Sequence, residues 1–422
     1  MTVGTAGGAV RPPAALAGAA APDRVAATLH RNVLALFSGL LLWTAIHFGT
    51  LTLLPLYLHD QGHDARWIGF ALGITGIAQL GVRPFGGWIV DAFGRPRPLV
   101  GSLLLLGAAC ALLAVPATWA IIANRVLTGV AFSLGTTAFY TLSIEVAPAE
   151  RTSEVQGYVA LGLTMGVGLG PAILVAMYQG VMPQAPPSER LVAVAVGGGA
   201  AALLSAVCFR ATTSAFAPLG RAHPYTLRTN FRREGLLPAV LNFCAQVPNT
   251  AFSAFLPLWA IARGVANPGL LFVGSQIGAV ASRLFAGRLA DRHGRAVVLV
   301  PAMIGVAAAL AAMSVASGLT VFAALALAYG ALFGVAFVIL PALAGQATPR
   351  EGRGAALNTF GLGSDIAQLL GPWGLGLAAS AWGFGGALVA SGAVSILGAA
   401  VYLVALGSVA PGSTARRRTG SR

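Results

Sequence analysis

Three ionisable side chains sit inside apolar, helix-length runs: His47, Arg125 and Asp365. Asp365 is about ten residues into its run and is the only carboxylate at that depth. His47 lies near the middle of the first run, and Arg125 one to two turns into the fourth. A charge at mid-bilayer costs about 2.5–3.5 kcal/mol on insertion scales, so such residues tend to mark a pathway. A low dielectric favours the neutral form of both an acid and an imidazole, which suits Asp365 and His47 to take up and release a proton. Structural readings stand beside this one: a packed histidine, an aspartate paired to a donor on another helix, an arginine bracing two helices.

Helical spacing adds polar company. Asn242, Gln246, Asn249 and Ser253 recur on one face of the seventh run. Trp43, His47 and Thr50 share a face of the first, and Asn358, Gly361, Asp365 and Gln368 a face of the eleventh. Tyr329, Phe333 and Phe337 form an aromatic stripe on the tenth, which core packing or lipid contact would also explain. Amides, one acid, one histidine and aromatics together suit an amphipathic small molecule, neutral or cationic. Other chemistry finds no support. No phosphate-cradling loop, metal-ligand cluster or nucleophile motif occurs, and Cys110, Cys208 and Cys244 are isolated, inert thiols. Neither an enzyme nor a cofactor nor a metal is expected, so the energy source must be an ion gradient.

The elements that position these residues are membrane helices. The chain is 57% hydrophobic and 9% charged, against about 25% charged in a soluble domain. Twelve apolar runs fit, near 32–58, 67–89, 99–116, 119–144, 155–178, 191–209, 236–261, 269–289, 296–316, 319–344, 355–378 and 385–406. All 26 basic residues are arginine. With both termini inside, 20 of them fall on the cytoplasmic side and only Arg66, Arg190 and Arg263 outside, an asymmetry that sets orientation. A nucleic-acid partner would need a basic face on a soluble domain, and none is expected. The expected organisation is a flexible cytoplasmic tail (1–31), a six-helix bundle (32–209), a cytoplasmic linker (210–235), a second six-helix bundle (236–406) and a basic cytoplasmic tail (407–422). The arginine, alanine and glycine bias points to a GC-rich bacterial genome, hence to a bacterial inner membrane.

The two bundles are repeats. Arg83-Pro-Phe-Gly-Gly87-Trp-Ile-Val-Asp91-Ala-Phe-Gly94-Arg95 matches Arg283-Leu-Phe-Ala-Gly287-Arg-Leu-Ala-Asp291-Arg-His-Gly294-Arg295, 200 residues on. Leu54-Pro55-Leu56 matches Leu256-Pro257-Leu258, and Gly170-Pro171 matches Gly371-Pro372. Six helices per half make these parallel repeats about an axis along the membrane normal. Asp91 and Arg95 are four apart, so one helical turn would let them meet as a latch; Arg83 and Arg283, at inner helix ends, either join it or reach lipid phosphates.

These motifs give the chain a resemblance, over nearly its whole length, to the major facilitator superfamily, whose signature loop is similar to both copies. Arg125-x-x-Thr128-Gly129 resembles the family's helix-4 motif, associated with proton coupling. Gly157, Gly166 and Gly170-Pro171 resemble the helix-5 motif of its proton-coupled drug exporters, although Ile173-Leu174-Val175 stands where that motif has two glycines. The resemblance implies two bundles rocking around a cavity lined by helices 1, 4, 7 and 10 with help from 11. The expectation is a monomer exchanging protons for a small molecule, with Asp365, His47 and Arg125 coupling and with Glu145 beside the inner gate. The alternatives are a proton-coupled importer of a sugar, organic acid or amino acid, and a membrane sensor that does not transport.

Overall fold

The computed structural model describes residues 22–93, 96–146, 152–180, 184–212, 232–346 and 353–409. The described residues form twelve membrane helices and no strand. In the first half these are α1 (Pro22–Asp60), α2 (Ala65–Phe93), α3 (Pro96–Leu112), α4 (Thr118–Val146), α5 (Thr152–Gly180) and α6 (Pro187–Thr212). In the second, α7 starts at Leu236 and ends at Ala262, with a π-helical turn over Ala251–Phe255. It is followed by α8 (Leu270–His293), α9 (Arg295–Val315) and α10 (Leu319–Gln346). The last two helices, α11 (353–382) and α12 (384–409), are continuous but for Gly383, whose φ of 72° turns the chain. Apolar side chains all round most of these helices leave no polar face to wet, which is how a lipid-immersed bundle reads.

Each half packs on itself, α1 against α5 and α6, α2 and α3 against α4, α8 against α10, and α7 against the α11–α12 pair. The halves meet along two seams, α2 with α11 and α5 with α8. The face carrying the described chain ends is called the near face, and the one carrying the α1–α2 turn the far face. The apolar core divides between them. One cluster, from Leu51–Leu58 of α1 through Val247–Ala260 of α7 to Leu375–Leu388, joins both halves toward the far face. Toward the near face there are two separate clusters, one around Leu36, Leu99 and Phe209, the other around Leu241, Leu299 and Tyr402. A core shared at one end and split at the other is a structure closed on its far face and parted on its near face.

The far seam is backbone on backbone. A Cβ added at Gly69 would overlap the Pro372 carbonyl, and one at Gly76 the backbone at Leu369. Small residues allow helices to approach this closely. Arg66 Nε donates to Ser380 Oγ at 3.0 Å across the same seam, and Phe70 stacks on Trp373 with ring centroids 5.8 Å apart. On the other seam, Gly269 sits against the backbone of Pro171 and Ala172, and Asn267 Nδ2 donates to the Ala172 carbonyl at 3.2 Å.

Candidate functional site

A cavity of about 410 Å³ lies between the halves. α7 brings Asn242, Gln246, Asn249 and Ser253 to its wall; the polar stripe on that helix faces the cavity. Trp43 (α1), Tyr329 and Phe333 (α10) and Asp365 and Gln368 (α11) line it too. The π turn in α7, three residues after Pro248, presents Phe252, which stacks on Tyr329 with centroids 4.3 Å apart and planes 2° from parallel. Tyr329 stacks in turn on Phe333 at 5.9 Å. The opposite wall carries Trp43 stacked on Phe132 at 5.4 Å, with His47 behind Phe132 at 4.1 Å. The cavity thus offers two aromatic walls with amides between them.

Asp365 is 1% exposed. Arg83, on α2 of the other half, donates from Nε to Asp365 Oδ2 and from Nη2 to Oδ1, the latter at 2.7 Å. This is a bidentate fork, the geometry in which arginine holds a carboxylate best. Gly361, one turn before Asp365, makes room for it: a Cβ there would lie 3.0 Å from Arg83 Cζ. The pair joins the halves on the near-face side of the Gly76–Leu369 contact.

Several residues sit elsewhere than their sequence context suggests. Arg83 and Arg283, expected at inner helix ends, are in the cavity wall. Arg283 lies over the Phe337 ring, Cζ 4.7 Å from its centroid, and donates from Nη1 to Thr164 Oγ1 at 3.2 Å. The wall therefore holds two arginines against one aspartate, where the expected lining was amides, one acid, one histidine and aromatics. Thr50 is buried off the cavity, its hydroxyl donating to the Ile46 and His47 carbonyls of its own helix. Asn358 is outside the lining as well. His47 and Arg125 are one layer behind the wall, 2% and 0% exposed. Phe132, Phe252, Gln79 and Gln276 line the cavity without having been singled out. Phe252 lies within the π turn and lines the cavity beside Ser253.

Gly166 and Gly170 of the helix-5 motif pack against the backbone of α1 at Leu41–Ala45, Pro171 is in the α5–α8 seam, and Gly157 meets open space. In the second loop motif, Gly287 is loosely packed and Gly294 takes φ 90° between α8 and α9. Asp291 is exposed at the end of α8, so the four-residue spacing to Arg295 runs across a chain turn and not along one helical turn. In the first motif, Gly94 and Arg95 are outside the described residues, as are the side chains of Asp91 and Glu145 and the surroundings of Gly87.

The sequence matches the family described as Major Facilitator Superfamily over residues 36–266 and 238–421. It is 25% identical to the quinolone resistance protein NorA of Staphylococcus aureus (strain MRSA252) over 146 residues. That match covers 34% of this chain and spans about a third, 36%, of the relative's length. It is 22% identical to the staphylopine export protein of Staphylococcus aureus (strain Mu50 / ATCC 700699), over 75% of this chain and 82% of that protein. Among solved structures, the nucleoside transporter NupG (D323A mutant) superposes with a TM-score of 0.70 at 15% identity, covering 88% of this chain and 99% of that one. A bacterial homologue of the human lysosomal transporter Spinster gives 0.68 at 14% identity, covering 92% and 98%.

Proposed function

The chain belongs to the Major Facilitator Superfamily, a family of membrane transporters, and from that premise we propose that it is a proton-coupled exporter of a small amphipathic molecule. The observation that carries the reading is the Arg83–Asp365 pair, a buried carboxylate of one half held by an arginine of the other. Protonating Asp365 removes the charge that the guanidinium holds, and so loosens a tie between the halves at the level of the cavity. Deprotonated and paired, with the near face parted, the protein is ready to take substrate from the near side. After the far face opens and substrate leaves, a proton on Asp365 resets the cycle by lowering the cost of carrying an ionised group through the closed state. Exporters such as this sit in the bacterial inner membrane with the near face cytoplasmic, as the arginine asymmetry favours. The names of the two curated relatives, one a resistance protein and one an export protein, support the outward direction. Aromatic walls and amides supply stacking surface and orientation for an amphipathic guest.

The test is uptake into everted membrane vesicles of a panel of aromatic drugs and dyes, with and without a proton gradient. Accumulation that collapses when a protonophore is added is the expected result. Accumulation only in right-side-out vesicles would make the protein an importer.

A further inference from the structure

The N-terminal bundle holds a second polar centre, walled off from the cavity by Phe132. Arg125 is fully buried, and among the described residues neither Nη1 nor Nη2 has a hydrogen-bond acceptor. Only Nε is satisfied, donating to Asn124 Oδ1 at 2.7 Å, while Asn124 Nδ2 is spent on the Ala109 carbonyl at 2.6 Å. The groups that interact with Arg125 electrostatically are His47 and Cys110, and neither side chain is ordinarily anionic at neutral pH. His47 has no partner on either ring nitrogen. Trp43 Nε1 and the hydroxyl of Thr128, one turn from Arg125, are buried without partners too. The centre is rich in donors and poor in acceptors. Arginine does not relieve this by losing its proton, and an isolated charge away from water is among the costliest things a fold can contain. Asp365, the carboxylate of the neighbouring cavity wall, is committed to Arg83. What the centre lacks is one negative charge with several lone pairs.

We propose that this centre is an anion site, taking one small monovalent anion against Arg125, His47 and Trp43. The anion is either a free halide or the carboxylate of a transported molecule that has reached past the Trp43–Phe132 wall. Both rings of that wall line the cavity, so a rotamer change in either one is the route by which such a group would reach Arg125. The carboxylate source rests on the export reading above; the halide source does not.

Thermal unfolding of the purified full-length protein in detergent tests this without a gradient, so failure here leaves the export reading untouched. Unfolding is compared at equal ionic strength in gluconate, chloride, bromide and 1-naphthoate. An anion that binds only the folded protein raises the midpoint with concentration. The expected result is a saturable rise of a few degrees over gluconate, lost in Arg125→Gln. A rise with halides identifies a free ion, and a rise with naphthoate alone identifies a carboxylate guest. No rise with any of the three, or an undiminished rise in Arg125→Gln, overturns the site. Should Arg125→Gln fail to fold, His47→Phe keeps the ring stack and removes the ring nitrogens, and an undiminished rise in that variant overturns the site equally.

Discussion

At the scale of single residues, the proposed coupling rests on Asp365. Asp365→Asn keeps the shape and removes the charge. It is expected to reduce gradient-driven accumulation in proteoliposomes to the level seen without a gradient, while downhill exchange persists. Full gradient-driven flux in that variant would move coupling to another group. Arg83→Leu leaves the buried carboxylate alone. Breaking a buried pair by losing one partner costs about 3–5 kcal/mol, and the lower end applies because Arg83 keeps 23% of its side chain exposed. A lowered unfolding midpoint that Asp365→Asn in the same chain largely restores is the expected signature. Depth and loneliness made Asp365 legible from sequence. Its partner was not, because 282 residues separate the two and no local pattern links an arginine of α2 to an aspartate of α11. Thr50 misled for a different reason: a helical face predicts direction, but its hydroxyl turns back to its own carbonyls.

At the scale of elements, the twelve spans were legible, because an apolar run of membrane length has little else it can become. Their ends were less so. α1 starts at Pro22, ten residues before the apolar run, and the turn expected between α11 and α12 is a single kinked glycine. The π turn of α7 was invisible, since a one-residue slip in the hydrogen-bond ladder leaves the composition unchanged. Its effect is local and measurable. Phe252→Ala removes the ring stacked on Tyr329 and should cost about 3 kcal/mol of stability, with weakened binding of aromatic substrates. Substrate affinity equal to wild type would mean that the wall on this side does not touch the guest. The far seam gives a second test. Cysteines replacing Arg66 and Ser380, whose side chains meet at 3.0 Å, stand too far apart for a direct disulfide, but a short bis-methanethiosulfonate should bridge them and stop transport. Reduction should restore it.

At the scale of the whole molecule, the shared apolar cluster at the far face and the split clusters at the near face define a state, and the arginine asymmetry predicts which compartment it opens to. A cysteine at Gln61, exposed in the α1–α2 turn, should react with a membrane-impermeant maleimide added to intact cells. Labelling only after the membrane is breached would invert the orientation and the direction of every step proposed above. The duplicated loop motif made the two-bundle plan legible before any coordinates. The state could not be read that way, because one sequence must serve both the open and the closed arrangement. The far seam also carries a consequence for descent. Every codon change at Gly69 or Gly76 that alters the residue adds at least a methyl group where the partner's main chain already lies. Lineages diverging from this chain therefore have little freedom along this seam. New specificities have to arise in the cavity wall, at lining residues such as Phe333 and Gln246.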